Sequence, residues 1–174
     1  AEIAPTGINL TSSANTAAGY MNLNIFPKGR IGFVAGTNQI NTGYQRFEAN
    51  SNAIAYGKWN GTQAFSSSSV SNDFDFGVIV FSPFVRFDLS NLSLDPYSET
   101  GASKYNLHYH AQSMKSRRST VGFNSEMSIE TAWGKLVPRV RAEFQRDSAR
   151  RDTLKTNYVD FPDAVYLIPA NDSD

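Results

Sequence analysis

Apolar and polar residues alternate with a period of two along most of the chain. From Ser119 to Trp133, the residues Val121, Phe123, Met127, Ile129 and Trp133 fall on one parity. Thr120, Asn124, Glu126, Ser128 and Glu130 fall on the other; Ser125 and Thr131 interrupt the apolar set. A helix would scatter these apolar residues around its axis, so the spacing predicts a strand. It is longer than the usual soluble strand of about 5–6 residues. After a tight break at Gly134-Lys135, Leu136, Pro138, Val140, Ala142 and Phe144 alternate with Arg139, Arg141, Glu143 and Gln145. Upstream, Val85, Phe87 and Leu89 alternate with Arg86, Asp88 and Ser90, and Tyr105, Leu107, Tyr109 and Ala111 with Asn106, His108, His110 and Gln112. Leu92 and Leu94 take the opposite parity, which predicts a bulge or strand end near Asn91.

The N-terminal half is similar but weaker. Met21, Leu23 and Ile25 alternate with Asn22 and Asn24, and Pro27-Lys28-Gly29-Arg30 predicts a turn into Ile31, Phe33 and Ala35. Asn60-Gly61, inside Trp59–Thr62, predicts a two-residue hairpin turn, because both residues accept positive φ. Ser66–Ser69 reads as a flexible loop. Phe74, Phe76, Val78 and Val80 predict the start of another strand. The charged stretch Arg141–Lys155 predicts strand, an exposed hairpin loop from Arg146 to Asp152, and strand again. The whole reads as about ten strands without a helix.

Two all-β architectures share this pattern. In a soluble sandwich or barrel the apolar parity packs a core. In a membrane barrel the sense is inverted, with apolar residues toward lipid and polar ones inside. Three features favour the membrane barrel. The strands around 119–145 are long and adjacent. Charges of both signs sit on the polar parity, at Arg86, Asp88, Glu126, Glu130, Arg139, Arg141 and Glu143. Aromatics recur near strand ends, at Tyr97, Trp133, Phe144, Tyr158 and Phe161, as in interfacial girdles.

Composition narrows the functions. The 174 residues are 40% hydrophobic but only 18% charged, against roughly 25% for an average soluble domain. Sixteen basic and sixteen acidic residues balance, so nucleic acid is not an expected partner. Cysteine is absent, which excludes disulfides and thiolate metal sites. No apolar run is long enough for a transmembrane helix, a statement that leaves strands open. Ala1–Pro5 has no signal-peptide character, so an exported chain would already be processed. His108 and His110 lie two apart on one strand face, but no third ligand accompanies them, and no metal or cofactor is expected. No nucleophile elbow, phosphate loop or dinucleotide fingerprint is present, so no enzyme activity is expected. Lys115-Ser116-Arg117-Arg118 reads as a solvated turn, or as a lumenal or loop patch near lipid phosphates.

Residues 83–144 carry an ordered series of motifs. Ser82-Pro83-Phe84-Val85-Arg86-Phe87 comes first, then Pro96-Tyr97-Ser98-Glu99-Thr100-Gly101-Ala102 and Gln112. Ser116-Arg117-Arg118-Ser119-Thr120-Val121-Gly122 follows, then Leu136-Val137-Pro138-Arg139-Val140-Arg141-Ala142-Glu143-Phe144. In residues and in spacing this resembles the C-terminal β-domain of autotransporters, the type V secretion proteins of Gram-negative bacteria. Tyr166-Leu167-Ile168-Pro169 is similar to that family's next strand, and residues 1–72 share only its general character. The resemblance implies an antiparallel up-and-down, twelve-stranded transmembrane β-barrel in the bacterial outer membrane. It implies three partners: outer-membrane lipid, the barrel-assembly machinery and an N-terminal passenger polypeptide. The family's barrel is longer and ends on a strand with a terminal aromatic, whereas this chain stops at Asn171-Asp172-Ser173-Asp174. Residues 1–174 are therefore expected to form a single barrel domain, incomplete at the C-terminus. Its expected pore lining is Arg86, Asp88, His108, His110, Glu126, Glu130, Arg139, Arg141 and Glu143. The alternatives are a soluble β-sandwich binding module and a small porin or adhesin barrel without a passenger.

Overall fold

The protein is described over residues 9–169 in a computed structural model; Ala1–Pro5 and Asn171–Asp174 lie outside the described residues. β1 (Asn9–Phe26) and β2 (Gly29–Glu48) form a hairpin about Pro27-Lys28, as the sequence predicts. Proline pre-sets the turn conformation there. The chain turns again at Ala49–Asn52, where Asn52 has φ of 45°, and enters β3 (Ala53–Asn72). β4 (Phe74–Asp75) and Gly77, at φ of 81°, lead into β5 (Ile79–Leu94). Next come β6 (Tyr97–Ser98), a 3-10 turn at Ser103–Tyr105, and β7 (Leu107–Tyr109). β8 (Gln112–Met127) follows, then a small hairpin of β9 (Ile129–Thr131) and β10 (Gly134–Leu136). The chain continues through β11 (Arg139–Arg151), β12 (Leu154–Tyr158) and β13 (Phe161–Ile168).

The long strands are hydrogen-bonded in the order β1-β2-β3-β5-β8-β11, each antiparallel to its neighbour. The sheet is open, with β1 and β11 at its edges. A smaller sheet, β13-β12-β7-β6, continues it upward. Leu94 pairs with Gln112 and, three residues on, Tyr97 pairs with Tyr109 in the same register. Arg151 pairs with Met114 and, five residues on, Thr156 pairs with Tyr109. So β5–β6, β7–β8 and β11–β12 are three tall strands with one shared break in pairing. Pro96, which has no N–H to donate, stands at that break.

The two faces of this wall differ sharply. Val85 pairs with both Val70 and Val121, and Val121 with Phe144. Period-two alternation puts Leu23, Ile31, Phe33, Phe87, Phe123 and Val140 on that same face. Val121 is 52% exposed and Phe144 69%. Among the described residues only Ala55 and Ala102 are fully buried apolar side chains. A soluble sandwich needs a dry core between its layers; here the apolar parity is the exposed one. On β5 the apolar stretch Ile79–Leu89 runs about 34 Å at ~3.4 Å per residue. At the ~45° tilt of barrel strands that covers about 24 Å of thickness, the height of a lipid-facing band. Beyond the band the apolar parity itself turns polar: Thr37, Gln39, Asn41 and Gln45 on β2, Lys58, Asn60 and Thr62 on β3, and Ser113, Lys115, Arg117 and Ser119 on β8.

Several expectations are corrected. Asn60-Gly61 is not a turn but lies mid-β3, where Gly61 pairs with Ile40 and Leu94. The glycine serves a close approach: a Cβ there would stand 2.7 Å from Leu94 Cδ2. Ser66–Ser69 is regular strand, paired with residues on both β2 and β5. Partners on both sides satisfy the backbone, and the small serines leave room beside Gly32, where a Cβ would lie 2.8 Å from Ser69 Oγ. No bulge occurs near Asn91; pairing of β5 is unbroken to Leu94, so Leu92 and Leu94 simply occupy the polar face. Phe76 and Val78 lie in the exposed β4–β5 turn rather than in a strand. Residues Arg146–Arg151 remain in β11, because Met114–Ser119 of β8 extends far enough to pair with them. The Lys115–Arg118 cluster is likewise strand, not a turn.

Candidate functional site

The polar face of the wall gathers most of the charges singled out in the sequence. Register places Arg86, Asp88, Glu126, Arg139, Arg141 and Glu143 on it together. Arg86 pairs with Thr120, and Thr120 with Gln145; Asp88 pairs with Arg118, and Arg118 with Asp147. The charges neutralise one another locally. Arg86 Nε lies 3.1 Å from Asp88 Oδ2, Arg139 Nε 2.8 Å from Glu126 Oε2, and Arg141 Nη2 2.8 Å from Glu143 Oε2. Ser67 Oγ donates to Asp88 Oδ1 at 2.6 Å.

Other members lie outside the pore lining expected from the sequence. Arg30 Nη2 bonds Asp73 Oδ1 at 2.8 Å, and Ser82 Oγ donates to the same oxygen at 2.7 Å. Arg118 Nε bonds Asp147 Oδ1 at 2.6 Å. Uncharged residues carry the network across the thinner-charged half of the wall. Thr16 donates to Asn38, Asn38 Nδ2 to Gln63 Oε1 at 3.1 Å, and Gln63 Nε2 to Ser90 Oγ at 2.7 Å. This chain of side chains crosses four adjacent strands. Its only sequence signal is the polar parity itself. A cavity of about 480 Å³ opens over Arg30, Asp73, Ser82, Asn124, Glu126 and Arg139.

Four large side chains on this face fold over a glycine. Tyr44 is paired directly with Gly57, Phe65 with Gly36, Phe84 with Gly122 and Leu94 with Gly61. The guanidinium of Arg141 stacks 4.8 Å from the Phe84 ring centre. A glycine opposite each large group lets it fold across the neighbouring strand instead of projecting outward.

Glu130, His108 and His110 stand apart from these charges. Glu130 pairs with Lys135 in the β9–β10 hairpin, below the wall. His108 and His110 lie at the opposite end, edge to face at 4.9 Å. His108 Nδ1 is 2.9 Å from Ser98 Oγ and His110 Nε2 2.9 Å from Asn157 Oδ1. Among the described residues no group of three or more His, Cys, Asp or Glu side chains has metal-binding spacing. Trp133 caps the β9–β10 end, Phe144 lies within the apolar band, and Tyr97, Tyr158 and Phe161 lie at the far end.

That far end holds a buried ionic cluster. Glu99, whose side chain is fully buried, accepts from Tyr44 Oη at 2.6 Å, Arg46 Nη2 at 2.7 Å and the Leu107 N–H at 3.0 Å. Arg46 also pairs with Glu48. Tyr97 and Tyr109 stack at 4.8 Å beside Tyr44. Burial pushes the Glu99 carboxyl up, but its hydrogen bonds from Arg46, Tyr44 and Leu107 outweigh that and hold it below the usual range. Burial raises the Tyr97 hydroxyl to about 12. The cluster ties the Glu99–Leu107 loop to β2.

These features make one face of the sheet a polar wall whose charges are paired side chain to side chain. The family model for the autotransporter beta-domain matches residues 5–172. No curated protein matches the chain.

Proposed function

The chain belongs to the autotransporter beta-domain family, an outer-membrane β-barrel family of translocators in Gram-negative bacteria, and on that premise we propose that residues 1–174 form one domain contributing wall to a hydrated pore for an N-terminal passenger. The apolar face meets outer-membrane lipid, and the barrel-assembly machinery inserts the sheet. One observation carries the reading of the pore: the polar face is densely charged yet paired. Arg30–Asp73, Arg86–Asp88, Arg118–Asp147, Arg139–Glu126 and Arg141–Glu143 each cancel within a few ångströms. A wall of this kind stays wet but holds no large field of one sign, so a passing polypeptide of either charge is not trapped. Phe65, Phe84 and Tyr44, folded over glycines, limit the bulk that this face presents. The role is passive; no residue is assigned a covalent or proton-transfer step.

The test is surface display. The parent protein is expressed in a Gram-negative host, and intact cells are treated with protease. The expected result is a heat-modifiable barrel in the outer membrane with passenger cleaved at the cell surface. A folded outer-membrane barrel whose passenger stays inside would overturn the translocator reading. A detergent-free soluble protein would overturn the barrel itself.

A further inference from the structure

Four cations stand on the lipid side of the wall, not the pore side. On β8 the apolar parity runs Phe123, Val121, Ser119, Arg117, Lys115 and Ser113 toward the far end. On β11 it runs Ala142, Phe144, Arg146, Ser148 and Arg150. Register sets Arg146 opposite Ser119, Ser148 opposite Arg117, and Arg150 opposite Lys115. Like charges placed directly across strands repel. Arg118, between them in sequence, points to the other face and is neutralised by Asp147. Among the described residues none of Lys115, Arg117, Arg146 and Arg150 forms an ion pair. A groove of about 620 Å³ lies over Ser113, Lys115, Arg117, Ser148, Arg150 and Asp152. Its one carboxylate, Asp152, is drawn aside to the Ser113 N–H at 3.2 Å.

The location is as informative as the charge. Leu89, the last apolar residue of its band on β5, pairs with Arg117. Val121 and Phe144 lie within about 14 Å of Arg117 along the strands. The cations thus begin where the apolar band stops, at headgroup depth, on the side where the longer loops rise. Bacterial barrels place longer loops outside and short turns in the periplasm.

We propose that this β8–β11 groove binds a phosphate-bearing lipid headgroup of the outer leaflet. Arg117, Lys115 and Arg150 hold the phosphate, Arg146 its acyl-side edge, and the acyl chains lie on Val121, Phe144 and Leu89. Arginine presents a planar fork that matches phosphate. Serines 113 and 148 supply neutral donors between the cations. Continuity with the apolar band favours a lipid over a free anion. The inference rests on the reading of the apolar face as lipid-facing, not on passenger export.

The test uses the full-length protein in nanodiscs of zwitterionic phospholipid, with and without one-fifth anionic phospholipid, at about 0.1 M and 0.5 M salt. Retained phosphorylated lipid is measured after washing, for wild type, Arg117→Ser and the triple variant Lys115→Ser/Arg117→Ser/Arg150→Ser. Each cation removed should weaken retention about fivefold at low salt, and high salt should weaken it in wild type. Heat-modifiable migration is read in parallel on each sample. Equal retention by wild type and Arg117→Ser, or no preference of wild type for anionic lipid, overturns the site. Release of the lipid by millimolar inorganic phosphate alone overturns the lipid assignment in favour of a simple anion site. Loss of the heat-modifiable band in wild type sinks the barrel reading instead. Should the triple variant fail to fold, the single variant and the salt series in wild type still decide.

Discussion

Phe84 lies directly across from Gly122, and a Cβ built on that glycine would sit 2.9 Å from the ring and 2.5 Å from the Ala142 carbonyl oxygen. The ring has little room to retreat, because Arg141 covers it. Overpacking of this kind typically costs about 1–3 kcal/mol. Gly122→Val should therefore slow or prevent formation of the heat-resistant barrel. Gly122→Val with Phe84→Ala should recover part of the loss. A gel-shift assembly time course checks both, and equal assembly by wild type and Gly122→Val would refute the packing argument.

Glu99 gives a pH prediction. Its folded-state carboxyl titrates below the ordinary value of about 4.3. A depressed acid contributes stability that is present above the unfolded value and lost as pH falls through the folded one. The Glu99–Leu107 loop should thus stay protected at neutral pH and begin to open only below about pH 4. Glu99→Gln should open it at neutral pH as well, at a cost of about 2 kcal/mol, since Arg46 loses its buried partner but keeps Glu48. Hydrogen exchange across residues 97–109 reads this directly; unchanged protection in Glu99→Gln would count against the cluster as the loop's anchor.

The Arg139–Glu126 pair separates stability from permeation. It is exposed, with 74% and 44% of the two side chains accessible, so its loss should change stability by at most about 0.5 kcal/mol. Glu126→Gln should nevertheless leave Arg139 uncompensated on the charged face, which is the pore wall on the proposed reading. The expected outcome is normal assembly with a shift of single-channel selectivity toward anions, reversed by adding Arg139→Gln. Planar-bilayer reversal potentials measure it, and an identical potential in all three proteins would place the pair outside the conducting path.

Turn positions are testable by insertion. A ten-residue epitope after Asn50 falls in the β2–β3 turn, outside the ladder of the sheet, where Asn52 N–H reaches the Ala49 carbonyl at 3.4 Å. It should be tolerated and detected on intact cells. The same epitope after Asn60 interrupts pairing of β3 with both β2 and β5 and should abolish assembly. The opposite result would restore the hairpin that Asn60-Gly61 suggests.

Much of this protein is decided by local pattern. Alternation of period two dictates long strands, because any other backbone would mix Val121, Phe123 and Phe144 with Thr120, Arg141 and Glu143. The motifs between Pro83 and Phe144 carry the family, and the polar parity names six of the wall's charges. What local pattern could not decide depends on neighbours across the sheet. Asn60-Gly61 has the composition of a turn, yet β2 and β5 hold it straight. Arg146–Arg151 has the composition of a loop, yet β8 reaches far enough to pair with it. Arg117 and Arg118 are adjacent in sequence and share a charge, but the pleat sends one to the apolar-parity face and the other to Asp147 on the charged face. Alternation is blind to which face is inside; only the tertiary arrangement, which leaves the apolar parity exposed and the charged parity paired, sets that sense.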